Sequence, residues 1–561
     1  MRASRWQCAV ALAVIAAALY LRGLGTAALW EPDEGRYAEI AREMAVSGDY
    51  ITPRDDGLRY FEKPPLVYWC NAAAIRLLGK SEFAVRTPAA LFSAAEVGVT
   101  FAIADFMFDT TTGVLAALAL MLAPLVFAFA VFATLDPALA FFMTAAVGAF
   151  YAASREPQFG RGAGYLWMVA AAALLALGTL AKGPVALVLV GVIALAWLWW
   201  EQRAPDIMRI PFISCLVVYL AIAAPWFVLA EWRNPGFLRF FFVHEHLQRY
   251  LESQEHGWGP WFFVPIVIAG AWPWIYFAPR SLSGFRQQTG TSSAVRLLLT
   301  WFAVVFVFFS IPRSKLGSYI LPAMPPIAIA AGLGLSSLRN LQPIQARRIV
   351  RTFAVVNGAV IVACAIGVFV PLRDVSVSVR IDALIAVAAL SLAAIICAAF
   401  VTDASHTWVT AGGLALAVLL VSWSAGHLRN GLAELTSYRS LAQSLAPYLT
   451  PDCVLGSYRH YVQALPFYTG LRETPVEYFG EIAEFEPAND RPDAFIGRES
   501  RLRELWSSQR CFILVANQND LAPLEKLLSP RPAMLGCEGK KVALANFTPP
   551  GLKTPPCCDH R

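Results

Sequence analysis

The feature that most constrains this chain is a series of long apolar stretches. They recur from residue 8 to residue 427, and most have the roughly 17–25 residues that cross the hydrocarbon core of a bilayer. Hydrophobic residues make up 57% of the 561 residues and charged residues 15%, a balance that excludes an ordinary soluble globular protein. The sequence therefore predicts an α-helical membrane protein that crosses the bilayer many times.

Charged, proline and glycine residues divide the apolar part into separate predicted spans. We place thirteen of them, at 8–24, 84–108, 113–132, 136–154, 164–181, 184–200, 211–231, 261–279, 295–311, 316–338, 350–371, 382–401 and 407–427. The first stretch also resembles a signal peptide, because basic residues precede it. The later spans and the lack of a clear cleavage motif favour a membrane helix instead.

The basic residues of the short loops predict the orientation, because Lys and Arg are retained in the cytoplasm. Arginines cluster in four such loops, at 155–161, 203–209, 280–296 and 339–351. With the N-terminus inside, all four loops are cytoplasmic. The segments 25–83 and 232–260 and the chain after the last span then lie outside, which is the periplasm if the membrane is a bacterial inner (plasma) membrane.

Composition changes after the last apolar stretch. We predict a transmembrane domain over 1–427, with 25–83 as its catalytic outer loop, and a periplasmic α/β domain over 428–561. The stretches DCVLGSY, DAFIGR, RCFILVAN and KKVALANF read as short strands, with a helix over Ser437 to Tyr448. Cysteines in this tail could form disulfides if it is exported.

Five acidic side chains crowd into WEPDEGRYAEIAREM, residues 30–44, directly after the first span. Apolar spacing predicts a helix that begins at Asp33 and ends at Gly48. It is too short to span a bilayer and is expected at the interface. Two interpretations stay open: the acids cap the helix, with Glu39 and Glu43 pairing on a water-exposed face, or Asp33 carries chemistry.

Other outer segments supply more charge beside proline or glycine. RYFEKPPLVYW holds Glu62 and Lys63 before a proline-started helix, and ATLDPAL places Asp136 at the mouth of a span. Capping is the alternative for Asp136. Lys182 in LAKGP and Lys315 in SKLGSY lie at span boundaries and are interpreted as pointing into a cavity.

The 232–260 loop adds FFVHEHLQRY, with His244, His246 and Arg249 beside an aromatic run. Two histidines hold a metal only if another ligand joins them; the alternative is an interfacial hydrogen-bond cluster.

Carboxylates beside basic groups at a lipid surface indicate an amphiphile with a phosphate head. Since nucleotide sugars are not supplied outside the membrane, a polyprenyl-phosphate sugar fits this requirement. The net charge of +6 is spread along the chain, which gives no support to nucleic-acid binding.

In combination, these motifs resemble the polyprenyl-phosphate-sugar-dependent glycosyltransferases of the GT-C class, most closely the lipid A aminoarabinose transferases. The resemblance implies an inverting transfer of 4-amino-4-deoxy-L-arabinose from undecaprenyl phosphate to a lipid A phosphate, which confers polymyxin resistance. It also implies a monomer with about thirteen spans, interfacial helices in the first outer loop and a periplasmic domain. Another sugar such as a hexosamine, another envelope or protein acceptor, and a transporter of lipid-linked substrates remain alternatives.

The resemblance also assigns roles to residues. Asp33 resembles the central catalytic acid, and Asp136 resembles the second acid that faces it. Positions that would hold the carrier phosphate or line its cavity are Lys63, Arg249, Tyr319, Lys182, Lys315, Arg36 and Tyr60. Glu62 and His244 match a pair that binds a divalent cation, which the chemistry does not require. The chain departs from the family at Gly317, where a proline is expected, and the half from residue 372 offers no motif that matches.

Overall fold

The computed structural model of the protein describes residues 2–157, 159–248, 257–286, 289–368, 377–402, 437–478, 494–508 and 511–549, with parts of 420–433 and residues 480, 484 and 485. Within it the chain forms two compact units. The first comprises Met1–Leu24, Glu62–Val67 and Arg86–Arg429. The second comprises Gly25–Phe61, Tyr68–Val85 and Asn430–Arg561.

The first unit is helical. Its described α-helices are Arg2–Leu21, Glu82–Met107, Thr110–Met121, Pro124–Ala130, Asp136–Arg155, Gly162–Lys182, Val185–Trp200, Phe212–Arg233, Phe237–Arg239, Phe263–Gly270, Thr289–Ser310, Met324–Ser336, Pro343–Val368 and Val377–Thr402. A π-helical segment follows at Phe240–Gln248. Short 3₁₀ segments lie at Ala204–Arg209, Pro260–Phe262, Trp274–Tyr276, Ala278–Arg286, Gly317–Ala323 and Ser337–Asn340.

The helices match the predicted multi-span fold, although the number of spans is not fixed. Eight helices in the described residues are long and apolar enough to cross a membrane, and two bent helix pairs raise this to ten. Arg5–Leu21 and Val185–Trp200 are apolar but shorter. The predicted last span, 407–427, lies largely outside the described residues. The count of thirteen therefore stays a prediction.

Close backbone contact holds part of this unit together. A Cβ atom built on Gly332 would lie 2.7 Å from the Ala116 nitrogen and 2.8 Å from the Thr112 oxygen. Both neighbours are backbone atoms, so only glycine allows Met324–Ser336 to approach Thr110–Met121 this closely. The Asp136–Arg155 helix (the Asp136 helix) packs against Gly162–Lys182 and against the Gly317–Ala323 segment. This packing positions the site described below.

The second unit is α/β. Its main sheet contains five strands, which are β3 Val454–Tyr458, β4 Glu473–Val476, β5 Phe512–Asn517, β6 Ala533–Glu538 and β7 Lys541–Ala545. Their order is β4-β3-β5-β7-β6; β3 pairs in parallel with β4 and β5, and the remaining pairs are antiparallel. Helices Arg439–Leu445, Leu465–Thr469, Glu499–Ser508 and Leu521–Leu527 accompany the sheet. The α/β character predicted for the tail is confirmed.

Individual strands of the tail were predicted less completely. DCVLGSY, RCFILVAN and KKVALANF contain β3, β5 and β7. The described part of DAFIGR, residues 494–498, contains no strand, because Ile496 forms only an isolated bridge to Val476. Alternation is weak in β4 and β6, and neither was predicted.

Segments of the first outer loop complete the second unit. They form the helix Asp33–Ser47 (the Asp33 helix), most of Leu66–Leu78, and a two-stranded ribbon of β1 Arg54–Asp55 and β2 Leu58–Arg59. A disulfide joins Cys453 to Cys511 at the head of the sheet. The predicted domain boundary at 428 stays a prediction, but the loop and the tail share one compact unit.

Candidate active site

Asp136 and Lys182 form a buried ion pair in the first unit. Asp136 is the first residue of its helix, and Pro137 follows in the position where proline suits a helix start. Its carboxylate accepts a hydrogen bond from the Lys182 ammonium, and only 7% of the Asp136 side chain and 13% of the Lys182 side chain are exposed. The side chain of the residue before the helix makes no capping bond. Asp136 therefore serves a buried ion pair at the helix start, and the choice between a functional role and helix capping stays a prediction.

Tyr319 adds an aromatic face to this pair. It lies in the 3₁₀ segment Gly317–Ala323, which packs against the Asp136 helix. The Lys182 ammonium is 4.4 Å from the centre of the Tyr319 ring, within the range of a cation–π contact. Three predicted site residues from three elements thus meet: a carboxylate, an ammonium and a phenol.

A second charged cluster surrounds Lys63. Its ammonium lies 3.7 Å from a Glu62 carboxylate oxygen and 3.5 Å from a Glu245 carboxylate oxygen. It also donates a hydrogen bond to the Glu62 carbonyl oxygen. The His244 Nδ1 atom is 3.5 Å from the other oxygen of Glu245. The structure therefore brings together three predicted residues, Glu62, Lys63 and His244.

Glu245 is a functional candidate that the sequence interpretation missed. Its side chain has no exposed area, although it stands between two histidines in HEH and looks like an ordinary polar loop residue. Its position next to His244 could have identified it, since a carboxylate there supplies the additional metal ligand that a histidine pair lacks. His244 and Glu245 offer the nitrogen and oxygen ligands that a divalent cation such as Zn²⁺ takes, and Glu62 stays a predicted ligand.

Lys315 is engaged by the backbone. Its buried ammonium donates to the carbonyl oxygens of Trp258, at 3.0 Å, and of Pro312. An isolated bridge between Gly257 and Ser314 joins the same two loops. In this arrangement Lys315 ties two loops together, and its predicted contact with a carrier phosphate stays a prediction. Arg249, predicted for the same phosphate, lies outside the described residues.

The remaining predicted residues belong to the second unit. The Arg36 guanidinium points to the Tyr60 hydroxyl, at 3.4 Å, and its carbon lies 5.7 Å from the centre of the Tyr60 ring. Both residues are buried. Asp33 is the half-buried first residue of the Asp33 helix. Its predicted position opposite Asp136 stays a prediction.

One acid at the start of the Asp33 helix bonds the chain that precedes it. Glu34 accepts a hydrogen bond from the Trp30 N–H at 3.0 Å, three residues before the first helical residue. Pro32 precedes the helix and makes no side-chain cap, and Gly48 ends it with a φ of 73°. Capping therefore stays an open alternative for Asp33.

The water-exposed face predicted for Glu39 and Glu43 is wrong. Glu39 is fully buried and forms two hydrogen bonds with Arg42, at 2.7 and 2.6 Å. Glu43 accepts from the Gly57 N–H at 2.6 Å. Helical periodicity alone assigned these acids to solvent, because it does not show that the Asp33 helix is packed on most sides.

Comparisons with known proteins show what the chain as a whole is similar to. The family described as dolichyl-phosphate-mannose-protein mannosyltransferase matches residues 7–241. The undecaprenyl phosphate-alpha-4-amino-4-deoxy-L-arabinose arabinosyl transferase of Serratia proteamaculans is 35% identical over 59% of this chain and 59% of its own length. The Yersinia pestis protein of the same name is 31% identical, over 64% of this chain and 65% of the relative. The chain thus spans about three fifths to two thirds of these curated relatives.

Two solved structures extend the similarity to nearly the whole chain. The crystal structure of ArnT from Cupriavidus metallidurans bound to undecaprenyl phosphate is 28% identical, with a TM-score of 0.81, and the match covers 96% of this chain and 98% of that one. The apo structure of the same protein gives the same TM-score with 98% and 99% coverage. The chain has the fold of ArnT. The GT-C resemblance and the multi-span fold predicted from the motifs are both confirmed.

Proposed function

We propose that this chain is an inverting glycosyltransferase that moves 4-amino-4-deoxy-L-arabinose from undecaprenyl phosphate to a phosphate of lipid A. The observation that carries the proposal is the similarity, over almost the full chain, to an ArnT that binds undecaprenyl phosphate. The buried ion pair of Asp136 and Lys182, with the Tyr319 ring against the Lys182 ammonium, adds local support. A helix end that has only a structural role does not need a desolvated ion pair beside an aromatic ring.

The chemistry requires charge compensation at both reacting ends. The carrier phosphate leaves as an anion, and the ammonium groups of Lys63 and Lys182 are suited to neutralise it. A phosphate acceptor has a second pKa near 6, so it attacks without a general base. Asp33 would then stabilise the positive charge that develops at the anomeric carbon or hold the sugar ammonium. If the acceptor is instead a hydroxyl, Asp33 would act as its base.

The proposal also places the reaction. The predicted orientation puts both the reaction site and the C-terminal tail on the periplasmic side of a bacterial inner membrane, where lipid-linked donors are available. We propose a monomer that binds the donor and the lipid A acceptor from the surrounding membrane lipid. A transporter is disfavoured, because transporters place their ionisable groups near the bilayer midplane, whereas Asp136 and Lys182 stand at helix ends.

Mass spectrometry of lipid A tests this function. A strain that lacks the protein should gain aminoarabinose on lipid A phosphate when the intact chain is expressed. Asp33→Asn and Asp136→Asn should abolish the gain. Asp109→Asn is the matched control, because Asp109 also pairs with a distant basic residue, Arg339, but at an exposed position.

Other results of the lipid A assay would change the proposal in the following ways. A hexosamine on lipid A, or a sugar on another envelope acceptor, would replace the substrate assignment and keep the reaction class. Near-normal modification by both Asn variants at wild-type protein levels would overturn the assignment of the two acids.

A divalent cation is proposed as an accessory to the site. The ligands would be Glu62, Glu245 and His244, and the ion would have to compete with the Lys63 ammonium, which lies within 3.7 Å of both carboxylates. A cation there would add positive charge near the carrier phosphate. Zinc titration of the purified protein, with Glu245→Gln as the comparison, measures whether the cluster binds metal.

A further inference from the structure

Glu31 joins the start of the Asp33 helix to the C-terminal tail. Its two carboxylate oxygens accept hydrogen bonds from the Ala464 N–H at 2.8 Å and from the Gln463 N–H at 3.1 Å. These residues are more than 400 positions apart in sequence, but they belong to the same compact unit. A carboxylate that accepts from two successive backbone amides fixes direction as well as distance. Glu31 is therefore an anchor two residues before Asp33.

Gly35 makes a second contact with the same tail residues, two positions after Asp33. A Cβ atom on Gly35 would lie 2.5 Å from the Ala464 nitrogen and 2.9 Å from the Gln463 carbonyl carbon. Both atoms are backbone and have no flexible end that could move aside. The Asp33 helix can thus lie against 463–464 only if residue 35 has no side chain.

A third bond continues this contact before the helix. The Leu29 N–H donates to the Tyr468 hydroxyl at 2.8 Å, and that hydroxyl donates to Glu82 at 3.2 Å. Contacts on both sides of Asp33 therefore end on the same stretch of the tail, 463–468. Since Asp33 lies between Glu31 and Gly35 along the chain, its backbone cannot move without breaking one of them.

We propose that Glu31 and Gly35 are positioning residues that hold Asp33 in its reactive place by docking it on tail residues 463–464. The inference rests on the proposed function, in which Asp33 acts on the sugar. It gives the C-terminal tail a defined task, which is to supply two backbone amides that set the position of the acid. Displacement of a reacting group by about 1 Å can lower a rate roughly 100-fold.

Steady-state kinetics on the purified full chain tests the proposal, with a synthetic undecaprenyl-phosphate aminoarabinose donor and lipid A. Glu31→Gln keeps the size of the side chain but replaces one acceptor oxygen with a donor, and Gly35→Ala inserts the Cβ. Each should lower kcat about 10- to 100-fold, with less than a threefold change in the KM for the donor. Glu31→Asp, which keeps the charge, should recover part of the loss.

Two controls separate positioning from folding. Gly191→Ala adds a Cβ to a residue of a different helix, at a position where no atom lies within 4 Å of it. Lys80→Met removes a different loop–tail bond, from Lys80 to the Phe467 carbonyl oxygen. Both should keep wild-type kcat. Hydrogen exchange should show faster exchange of the 463–464 amides in Glu31→Gln and unchanged exchange there in Lys80→Met.

The outcomes distinguish the two proposals. Wild-type kcat in Glu31→Gln, with fast exchange at 463–464, would overturn the positioning role. So would an equal loss of kcat in Lys80→Met, because loop–tail docking in general would then be responsible. An active Asp33→Asn enzyme would instead overturn the role of Asp33 itself. Loss of activity in Asp33→Asn but not in Glu31→Gln or Gly35→Ala would leave the proposed function intact and remove only the positioning role.

Discussion

At the scale of single residues, the Asp136–Lys182 pair makes the sharpest prediction about stability. Lys182→Met should lower the free energy of unfolding by about 3–5 kcal/mol, because it leaves a buried carboxylate without its partner. Adding Asp136→Asn should recover part of this loss, since no uncompensated charge then remains. Thermal unfolding in detergent measures both effects.

The matched control for this pair is Arg339→Met. It breaks the Arg339–Asp109 ion pair, whose side chains are 42% and 41% exposed, and exposed pairs contribute only about 0–1 kcal/mol. Equal losses of stability in Lys182→Met and Arg339→Met would show that the Asp136–Lys182 pair is not desolvated in the folded protein.

A buried acid in the second unit predicts how stability depends on pH. Burial raises the pKa of Glu473 to about 8, against the hydrogen bonds that it accepts from Ser457 and from the Val462 N–H. An acid with a raised pKa binds its proton more tightly in the folded than in the unfolded chain. Its contribution is therefore fully present below the unfolded pKa of about 4.3 and is lost as the pH rises toward 8.

The melting temperature should accordingly fall between pH 5 and pH 8. Burial also raises the pKa values of Asp55 and Asp56, which act in the same direction. Glu473→Gln should flatten the profile, whereas Glu525→Gln, at an exposed pair with Arg531, should leave its slope unchanged. A melting temperature that rises over this interval would contradict the assignment.

Sequence reasoning identified charged residues but not their surroundings. Asp136 and Lys182 were predicted from boundaries marked by proline or glycine and Tyr319 from the family resemblance, and the structure brings the three together. Glu245 and Glu39 were missed or misplaced, because their burial depends on packing by distant parts of the chain. The spacing of residues along the chain does not indicate such contacts.

At the scale of elements, Gly317 stands where the family resemblance predicts a proline, and its surroundings in the structure do not require a glycine. Leu316 before it has an extended backbone, with φ −114° and ψ 145°, which suits a residue before proline. Gly317 begins the 3₁₀ segment, and a Cβ there would meet only Ile266, at 3.9 Å. Gly317→Pro should therefore keep activity and raise stability by about 0.4–1 kcal/mol.

Thermal unfolding and the lipid A assay check this substitution, with Gly317→Ala as the comparison. Ala should give a smaller gain, because it restricts the unfolded backbone less than proline does. A proline variant that loses activity would show that Gly317 needs its freedom to place Tyr319, two residues later.

Helical elements were predicted well and their breaks were not. Predicted spans 113–132 and 261–279 each contain a bend in the structure, of 61° and 103°. Pro124 and Pro273 stand at these bends, so the signal was present in the sequence. The average hydropathy of a span does not reveal the bend, because the residues on either side of it are equally apolar.

At the scale of the whole chain, residues distant in sequence form one body from the first outer loop and the tail. Both Asp56 carboxylate oxygens accept from the Glu473 N–H, at 3.0 and 3.1 Å, and Glu31 accepts from two amides of the tail. No pattern in the sequence predicts such pairs, since they join segments about 400 residues apart. The sequence of each segment can be interpreted by itself, the first as a loop and the second as a domain.

Truncation after Arg429, where the first unit ends, tests this organisation directly. Without the tail, Glu31 and Asp56 lose their amide partners and stay buried only at a cost, so the 25–61 segment should open. Trypsin should then cut after Arg54 and Arg59 in spheroplasts or permeabilised membranes, while the full chain, in which Arg59 lies 5.1 Å from the Phe485 ring, resists cleavage there. Mass spectrometry of the fragments locates the cuts. Equal resistance in the truncated protein, with lipid A modification retained, would show that the loop folds and places Asp33 without the tail.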